Sequence, residues 1–150
     1  MLRNLAVAAM LAVAAGPAPA QLFAPQGILE PDKAFRISAR ALDEHHVEVE
    51  FRIAEGYYLY RDRFRIATES GKALAEVEIP RGKLNEDQFL GKSETFRDLV
   101  RIRVTVSAGD AARGTMKLKV TSQGCSDQGL CYLPLEQIVQ VGLPQSRIER

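Results

Sequence analysis

The chain lacks an excess of charge of either sign, and it has only two cysteines. Its 150 residues include 20 basic and 19 acidic side chains. A nearly neutral chain offers no positive field to nucleic acid or to an anionic membrane surface, so we expect neither as a partner. With two cysteines the chain can form either one short disulfide or one redox centre.

The chain also lacks an apolar run of the about 20 residues that a membrane-spanning helix needs. Its longest apolar run, 5–15, follows Arg3 and precedes the small-residue sequence Ala18-Pro19-Ala20. This arrangement is typical of a secretory signal peptide, 1–20, and we expect cleavage before Gln21. The mature chain is then expected to be one soluble domain in an exported compartment where a disulfide can form.

What the sequence does contain is a series of short segments in which apolar and polar residues alternate. This period of two is typical of strands with one buried face. Turn signals such as Glu55-Gly56 and Ser70-Gly71 separate the segments, and no amphipathic helix of ten or more residues is evident. We predict an all-β protein, an immunoglobulin-like antiparallel β-sandwich at 34–142, with an extended lead-in at 21–33 and a tail at 143–150. The alternating segments are 35–40, 47–53, 99–106, 116–121 and 138–141.

One segment, 84–93, does not fit this alternation. It is mainly polar, with Phe89 in its middle. We predict an ordered loop that carries an exposed or half-exposed Phe89, because an isolated apolar side chain on a loop usually covers another part of the molecule.

The two cysteines, Cys125 and Cys131, lie six positions apart. A strand would separate them by about 20 Å, whereas a disulfide needs Cα atoms roughly 4.4–6.8 Å apart. The chain must therefore reverse between them, which Gly129 permits. We expect the flanking strands, 115–122 and 135–141, to be neighbours, with the cysteines near the tip of their connection.

Two functions of this cysteine pair remain open from spacing alone. A structural disulfide that closes a ring of about 7 residues would contribute roughly 2.4 kcal/mol, against about 4.7 kcal/mol for a 100-residue loop. A redox dithiol would need an accessible attacking sulfur and a second sulfur nearby. The spacing differs from the Cys-x-x-Cys motif of thioredoxin-like enzymes, so it favours the redox interpretation only slightly.

The residues around the cysteines match a longer pattern, approximately Gln-Gly-Cys-x-x-x-Gly-x-Cys-Tyr-x-Pro. Further matching segments are 31–35, 56–61 and 86–94, so the match covers roughly 22–141. In these residues the chain resembles the N-terminal periplasmic domain of the thiol:disulfide interchange protein DsbD. The positions that carry the pattern are Gln123, Gly124, Cys125, Gly129, Cys131, Tyr132 and Pro134.

This resemblance implies an immunoglobulin-like, periplasmic protein-disulfide reductase module without a cofactor. It implies a thioredoxin-like electron donor, on the same or a separate polypeptide. The implied recipients are periplasmic disulfide isomerases and the thioredoxin-like protein of cytochrome c maturation. Cys131 would form the mixed disulfide with a partner and Cys125 would resolve it. We expect a monomer, because a relay must undock between partners.

The resemblance also identifies a cap loop that shields the cysteines when no partner is bound. Two departures from the family pattern stand out. Gln88 follows Asp87 where the family often has an acidic residue, and Leu133 replaces a common proline. The cap loop corresponds to Asp87, Gln88, Phe89, Leu90 and Gly91, and the tyrosines expected to line the site are Tyr58, Tyr60 and Tyr132.

Two other readings come from the residues themselves. His45 and His46 could suggest a metal, but adjacent strand residues point to opposite faces, and a solvated turn explains them better. Met116 with the two cysteines could hold Cu(I), although Met116 also fits the apolar alternation of its strand. The alternatives to a reductase are thus a non-catalytic binding sandwich with a structural disulfide and, less favoured, a Cu(I)-binding domain. We expect no metal site.

Overall fold

The computed structural model describes residues 27–111 and 113–145 of the chain. The predicted signal peptide lies outside these residues, as do 21–26 of the lead-in and 146–150 of the tail. Eleven strands, two single-turn α-helices and one 3-10 turn (Arg61–Arg63) are found in the described residues. The helices are α1 (Pro31–Ala34) and α2 (Ala108–Ala111), and the strands are β1 (Phe35–Ala41), β2 (His46–Ile53), β3 (Tyr57–Tyr60), β4 (Arg65–Thr68), β5 (Glu76–Glu78), β6 (Lys83–Asp87), β7 (Gly91–Phe96), β8 (Leu99–Thr105), β9 (Thr115–Ser122), β10 (Gly124–Ser126) and β11 (Leu135–Gly142).

All strand pairs are antiparallel, and they form three sheets. Their orders are β1-β2-β8-β5, β11-β9-β4 and β10-β3-β7-β6. The predicted antiparallel sandwich of immunoglobulin-like type is therefore confirmed. The two strands that flank the cysteines are also neighbours as expected, since Leu135 of β11 pairs with Ser122 of β9.

The core forms where the alternating segments turn their apolar faces toward one another. In β2 the residues Val47, Val49 and Phe51 are fully buried, while the residues between them are not. Leu118 and Val120 are likewise fully buried in β9. Each such buried side chain contributes about 1.5–3 kcal/mol relative to an exposed one, so these faces fix the register of the strands.

The segment predicted as a loop at 84–93 is instead a β-hairpin. Strands β6 and β7 pair from Lys83 with Thr95 to Asp87 with Gly91, and only three residues, 88–90, form the turn. The prediction was wrong because β6 is an edge strand whose side chains are exposed or half-buried, so it lacks an apolar face. The expected half-exposed aromatic is present: Phe89 lies in the turn and is 44% exposed.

The lead-in and the tail each differ from expectation at one end. Residues 31–34 form α1, although the lead-in was predicted to be extended, because Pro31 stands at the start of the helix where its missing N–H is tolerated. In the predicted tail, Leu143 is buried in the core and its amide donates to the carbonyl of Gly114. Among residues 27–111 and 113–145, no helix is long and apolar enough to cross a membrane.

Candidate functional site

The backbone places the two cysteines directly opposite each other. Cys125 lies in β10, which pairs with β3, and Cys131 faces Cys125 across a short antiparallel bridge. Hydrogen bonds on both sides hold this bridge, from the Ser126 amide to the Leu130 carbonyl (2.7 Å) and from the Tyr132 amide to the Gly124 carbonyl (3.0 Å). A residue pair flanked in this way has its Cα atoms close together; here they are 4.0 Å apart and the sulfurs form a disulfide.

Two glycines make this local structure possible. Gly129 has a φ of 86°, in the left-handed region that other residues avoid, and its amide closes the turn onto the Ser126 carbonyl at 3.1 Å. A Cβ atom on Gly124 would lie 2.2 Å from the backbone oxygen of Tyr58. Strand β10 can therefore approach β3 this closely only with glycine next to Cys125.

The two cysteines differ in exposure. Cys125 is fully buried, whereas Cys131 is half-buried. Exposed apolar side chains precede and follow Cys131, with Leu130 at 40% and Leu133 at 86% exposure. An incoming sulfur can therefore approach Cys131 more readily than Cys125.

Two tyrosines of β3 and one carboxylate complete the surroundings of the sulfurs. Tyr58 and Tyr60 form, with Cys125, a small buried cluster that is separate from the main core and against which Cys131 packs. The Tyr60 hydroxyl donates to Asp87 Oδ2 at 2.7 Å and lies 3.2 Å from Cys125 Sγ and 3.9 Å from Cys131 Sγ. The Tyr58 hydroxyl donates to the same carboxylate oxygen at 3.2 Å. Two of the three predicted tyrosines, Tyr58 and Tyr60, thus meet the predicted Asp87 at the disulfide.

These contacts change the acidity of the groups. Burial, together with the hydrogen bond to Asp87, raises the pKa of Tyr60 far above its ordinary value, and burial also raises the pKa of Tyr58. For Asp87 burial alone would raise the pKa, but hydrogen bonds from the Leu90 amide, the Tyr60 hydroxyl and two further donors hold it below its ordinary value. The cluster therefore contains an ionised carboxylate and protonated phenols at neutral pH.

Asp87 also holds the turn of the hairpin. We call residues 88–90 together with the strand residues on either side, Asp87 and Gly91, the hairpin turn (residues 87–91). Its second oxygen, Oδ1, accepts hydrogen bonds from the amides of Phe89 (2.8 Å) and Leu90 (2.9 Å). Gly91 has a φ of 67°, which favours glycine where the turn returns to β7. One carboxylate thus connects the conformation of the hairpin turn to the tyrosines beside the disulfide.

An open groove of about 330 Å³ separates the hairpin turn from the cysteine turn (residues 125–131). Gln88 and Phe89 line it from the hairpin side, and Gly129 lines it from the other. Leu90 lies away from this groove, in a depression with basic residues such as Arg61 and Lys92. The structure therefore brings Gln88 and Phe89 beside the cysteine turn and directs Leu90 elsewhere.

Tyr132 lies on a different side of the cysteines from Tyr58 and Tyr60. It packs against the main core, stacked on Tyr57 and edge-on to Phe35, and its hydroxyl donates to the Leu29 carbonyl. Burial raises its pKa to about 12, and neighbouring Tyr57 adds to the shift. Tyr132 thus anchors the lead-in next to Cys131, on the side of the main core.

Sequence reasoning missed one ion pair at the site. The guanidinium of Arg97, the residue after β7, makes two hydrogen bonds to the carboxylate of Asp127 in the cysteine turn, at 3.0 and 2.8 Å. Its carbon Cζ also lies 5.0 Å from the centre of the Tyr58 ring. No local motif marks these residues, because 30 positions separate them in the sequence.

The metal alternatives find little support in the described residues. Asp43 accepts hydrogen bonds from the amides of His45 and His46, so His45 ends the turn before β2 and His46 begins that strand. Met116 lies in the main core, apart from the cysteine cluster. In residues 27–111 and 113–145 no group of three or more His, Cys, Asp or Glu side chains is arranged to hold a metal ion.

Comparison with known proteins gives a consistent family. The family model described as "Thiol:disulfide interchange protein DsbD, N-terminal" matches residues 25–143. A thiol:disulfide interchange protein DsbD of Ralstonia nicotianae is 40% identical over 142 residues, which cover 93% of this chain and 23% of that protein. DsbD of Escherichia coli K12 is 41% identical over 103 residues, 69% of this chain and 17% of that protein. The chain thus spans about a fifth of the length of these relatives.

Two solved structures resemble the fold. The N-terminal domain of DsbD from Neisseria meningitidis in the reduced form gives a TM-score of 0.66 at 30% identity and covers 77% of this chain and 90% of that one. The complex between the DsbD N-terminal and PilB N-terminal domains of the same organism gives a TM-score of 0.61 at 30% identity, with 74% and 84% covered.

Proposed function

This chain belongs to the family of DsbD N-terminal domains, and from that premise we propose that it is a thiol:disulfide exchange module of the periplasm. In this proposal the module accepts two electrons from a thioredoxin-like donor, on the same or a separate polypeptide. It passes them to disulfides of periplasmic thiol-redox proteins. The recipients would include disulfide isomerases and the thioredoxin-like protein of cytochrome c maturation.

The observation that carries the proposal is the unequal exposure of two cysteines held together by the backbone. Cys131 is half-buried and Cys125 is fully buried, yet their Cα atoms are 4.0 Å apart across a hydrogen-bonded bridge. Thiol exchange needs one sulfur that a partner can reach and a second within reach of the first. This arrangement provides both, and backbone hydrogen bonds hold the bridge in addition to the sulfur–sulfur bond.

Reduction of the module by the donor begins at Cys131. A thiolate of the donor attacks Cys131 Sγ, a mixed disulfide forms, and Cys125 leaves as a thiolate that takes up a proton. The donor's second thiolate then attacks the donor sulfur that is bonded to Cys131, which releases Cys131 as a thiolate. The donor becomes a disulfide, and the module becomes a dithiol that has gained two electrons and two protons.

Delivery to a recipient runs through the same sulfur. The Cys131 thiolate attacks the recipient's disulfide and forms a mixed disulfide, and one recipient thiolate leaves. Cys125 then attacks Cys131 Sγ, which restores the module's disulfide and releases the second recipient thiolate. The recipient has gained the two electrons, and protons from solvent complete its thiols.

Tyr60 and Asp87 would assist the buried sulfur. Tyr60 lies 3.2 Å from Cys125 Sγ, and burial keeps its hydroxyl protonated by raising its pKa. A hydroxyl can donate one hydrogen bond and also accept one. It can accept from the Cys125 thiol while it donates to Asp87, and it can turn its proton toward a Cys125 thiolate. Because Gln88 stands where the family often has a second acidic residue, Asp87 would be the one carboxylate of the hairpin turn beside the tyrosines.

Within the proposal the hairpin turn acts as a cap that opens when a partner docks. Phe89 and Gln88 lie across a groove from the cysteine turn, and Asp87 connects the turn to both tyrosines. Displacement of the turn by a partner would also move the carboxylate that receives the Tyr60 hydroxyl. Docking and chemistry at the sulfurs would thus be coupled through Asp87.

A trapping experiment tests this proposal. The Cys125→Ala variant, reduced and mixed with an oxidised thioredoxin-like protein, should accumulate a mixed disulfide through Cys131, because the resolving sulfur is missing. Mass spectrometry of the cross-linked peptide identifies the two cysteines. The matched Cys131→Ala variant should accumulate little, since Cys125 is buried. Equal trapping by both variants, or no electron transfer by the unmodified chain, would contradict the proposal.

A further inference from the structure

The ion pair between Arg97 and Asp127 joins two guanidinium nitrogens to two carboxylate oxygens. Arg97 contacts the Asp127 carboxylate through two nitrogens, which fixes direction as well as distance. The carboxylate pKa of Asp127 is lowered by this hydrogen bonding. Both side chains are only about half exposed, at 44% and 49%. A two-point contact of this kind holds its partners more rigidly than a single one.

This pair joins the cysteine turn to β3. Asp127 lies two positions after Cys125, and its amide also donates to the carbonyl of Gly56 at 2.8 Å, just before β3. Arg97 stands over the ring of Tyr58, which pairs with Cys125 in the sheet. The guanidinium thus spans the turn that contains the cysteines and the strand against which Cys125 lies.

The backbone next to Arg97 is bent in an uncommon way. Asp98 has a φ of 61°, and among the described residues it is the one non-glycine residue with positive φ. The Leu99 amide donates to the Arg97 carbonyl at 2.6 Å, so residues 97–99 make a tight three-residue turn. Such conformations cost free energy and persist where the surrounding structure holds them. The bend lies in the connection between β7 and β8 and places Arg97 beside the cysteine turn.

Holding the cysteine turn matters most when the disulfide is reduced. In the disulfide form the covalent bond itself keeps the two sulfurs together. In the dithiol form their proximity depends on the backbone bridge and on what anchors the turn, and the effective concentration of one thiol at the other decides how readily the disulfide re-forms. An anchor that acts on the dithiol therefore makes the module a stronger reductant.

We propose that Arg97 and Asp127 are positioning residues that hold the two reduced thiols together and thereby lower the reduction potential of the cysteine pair. The proposal rests on the proposed function only in requiring that Cys125 and Cys131 exchange between dithiol and disulfide. The exchange with glutathione is balanced: one module disulfide and two glutathione thiols give one module dithiol and one glutathione disulfide.

The equilibrium constant of this exchange tests the inference. The unmodified chain, Arg97→Gln, Asp127→Asn and the double variant are equilibrated in glutathione buffers, and the dithiol fraction is measured after acid quenching and alkylation. Each single variant should favour the dithiol by about fivefold to tenfold, a rise of roughly 20–30 mV for a two-electron couple. The double variant should match the singles, because either change breaks the same pair. The equilibrium constant of Arg97→Lys should lie between those of the unmodified chain and Arg97→Gln, since lysine keeps the charge but loses the two-point contact.

A control separates positioning from stability. Arg101 and Glu50 form another surface ion pair, 2.9 Å apart between β8 and β2 and away from the cysteines. Arg101→Gln should leave the glutathione equilibrium unchanged even though it also removes a surface ion pair, and urea unfolding measures the loss of stability in both variants. The inference is overturned if Arg97→Gln and Asp127→Asn leave the equilibrium constant unchanged, or if their effects add in the double variant. Either result leaves the trapping of partners through Cys131 untouched.

Discussion

Asp87 illustrates how much one side chain contributes to this site. Its Oδ1 atom accepts hydrogen bonds from two amides of the hairpin turn. Its Oδ2 atom accepts hydrogen bonds from the hydroxyls of Tyr58 and Tyr60. Protonation of the carboxylate would weaken both sets of hydrogen bonds at once. The residue therefore makes the hairpin turn and the tyrosine cluster sensitive to the same titration.

A pH profile of stability should show this contribution. Because the folded-state pKa of Asp87 is lowered, its ionised form stabilises the fold above the pKa of about 3.9 that aspartate has when unfolded. This stabilisation is lost as the pH falls through the lower folded-state pKa. We expect Asp87→Asn to flatten that part of the profile, measured by urea unfolding between pH 2 and 7. Tyr60→Phe should reduce the slope of unfolding free energy against pH less, since Asp87 keeps its other hydrogen-bond donors. An unchanged slope in Asp87→Asn would contradict this account.

The residues at the site differ in how readily sequence predicts them. Cys125, Cys131, Tyr58 and Tyr60 belong to short local patterns, and the structure brings all four together. Arg97 has no such pattern, because its partner Asp127 becomes a neighbour only when β7 and β10 join the same sheet. The sequence places Tyr132 next to Cys131, but the direction of its side chain depends on the packing of Phe35 and Tyr57.

At the scale of elements, the hairpin of β6 and β7 is the feature that sequence predicted least well. The strands β2 and β9 were predictable because their apolar residues alternate and become buried. Strand β6 forms through backbone pairing at a sheet edge, so its polar side chains carry no such signal. The aromatic in the turn was nonetheless predictable as an exposed feature, since nothing nearby in sequence could bury it.

Removal of the Phe89 side chain tests whether the hairpin shields the sulfurs. We expect Phe89→Ala to speed alkylation of reduced Cys131 by iodoacetamide severalfold, because the groove beside the cysteine turn would widen. The rate can be followed by mass spectrometry under pseudo-first-order conditions.

Leu84→Ala is the matched control for this measurement. Leu84 lies in β6 of the same hairpin and is 85% exposed, yet it stands outside the turn and outside the groove lining. Its loss should leave the alkylation rate unchanged. Equal rates for the unmodified chain and Phe89→Ala would show that the hairpin turn gives no protection.

At the scale of the whole molecule, the disulfide lies outside the main core. The core consists of apolar faces from three sheets, and the cysteines belong to a separate small cluster. The chain between the cysteines closes a ring of about 7 residues, for which loop entropy gives roughly 2.4 kcal/mol. The sandwich should therefore persist in both redox states.

The double variant Cys125→Ala plus Cys131→Ala distinguishes a redox pair from a structural disulfide. We expect circular dichroism of the double variant to match the unmodified chain, and urea unfolding to show a loss of about 2–3 kcal/mol or less. Electron transfer to protein disulfides should vanish. A collapse of the fold, together with no electron transfer by the unmodified chain, would instead favour the binding sandwich with a structural disulfide.

The burial of Cys125 has a consequence for the order of events in a relay. With one sulfur enclosed, a donor and a recipient must use Cys131 in turn, and the two cannot be bound productively together. Turnover would then follow ping-pong kinetics, with parallel lines in double-reciprocal plots. An excess of either partner would compete with the other for the same face, so the flow of electrons would be greatest when the two are present in balance.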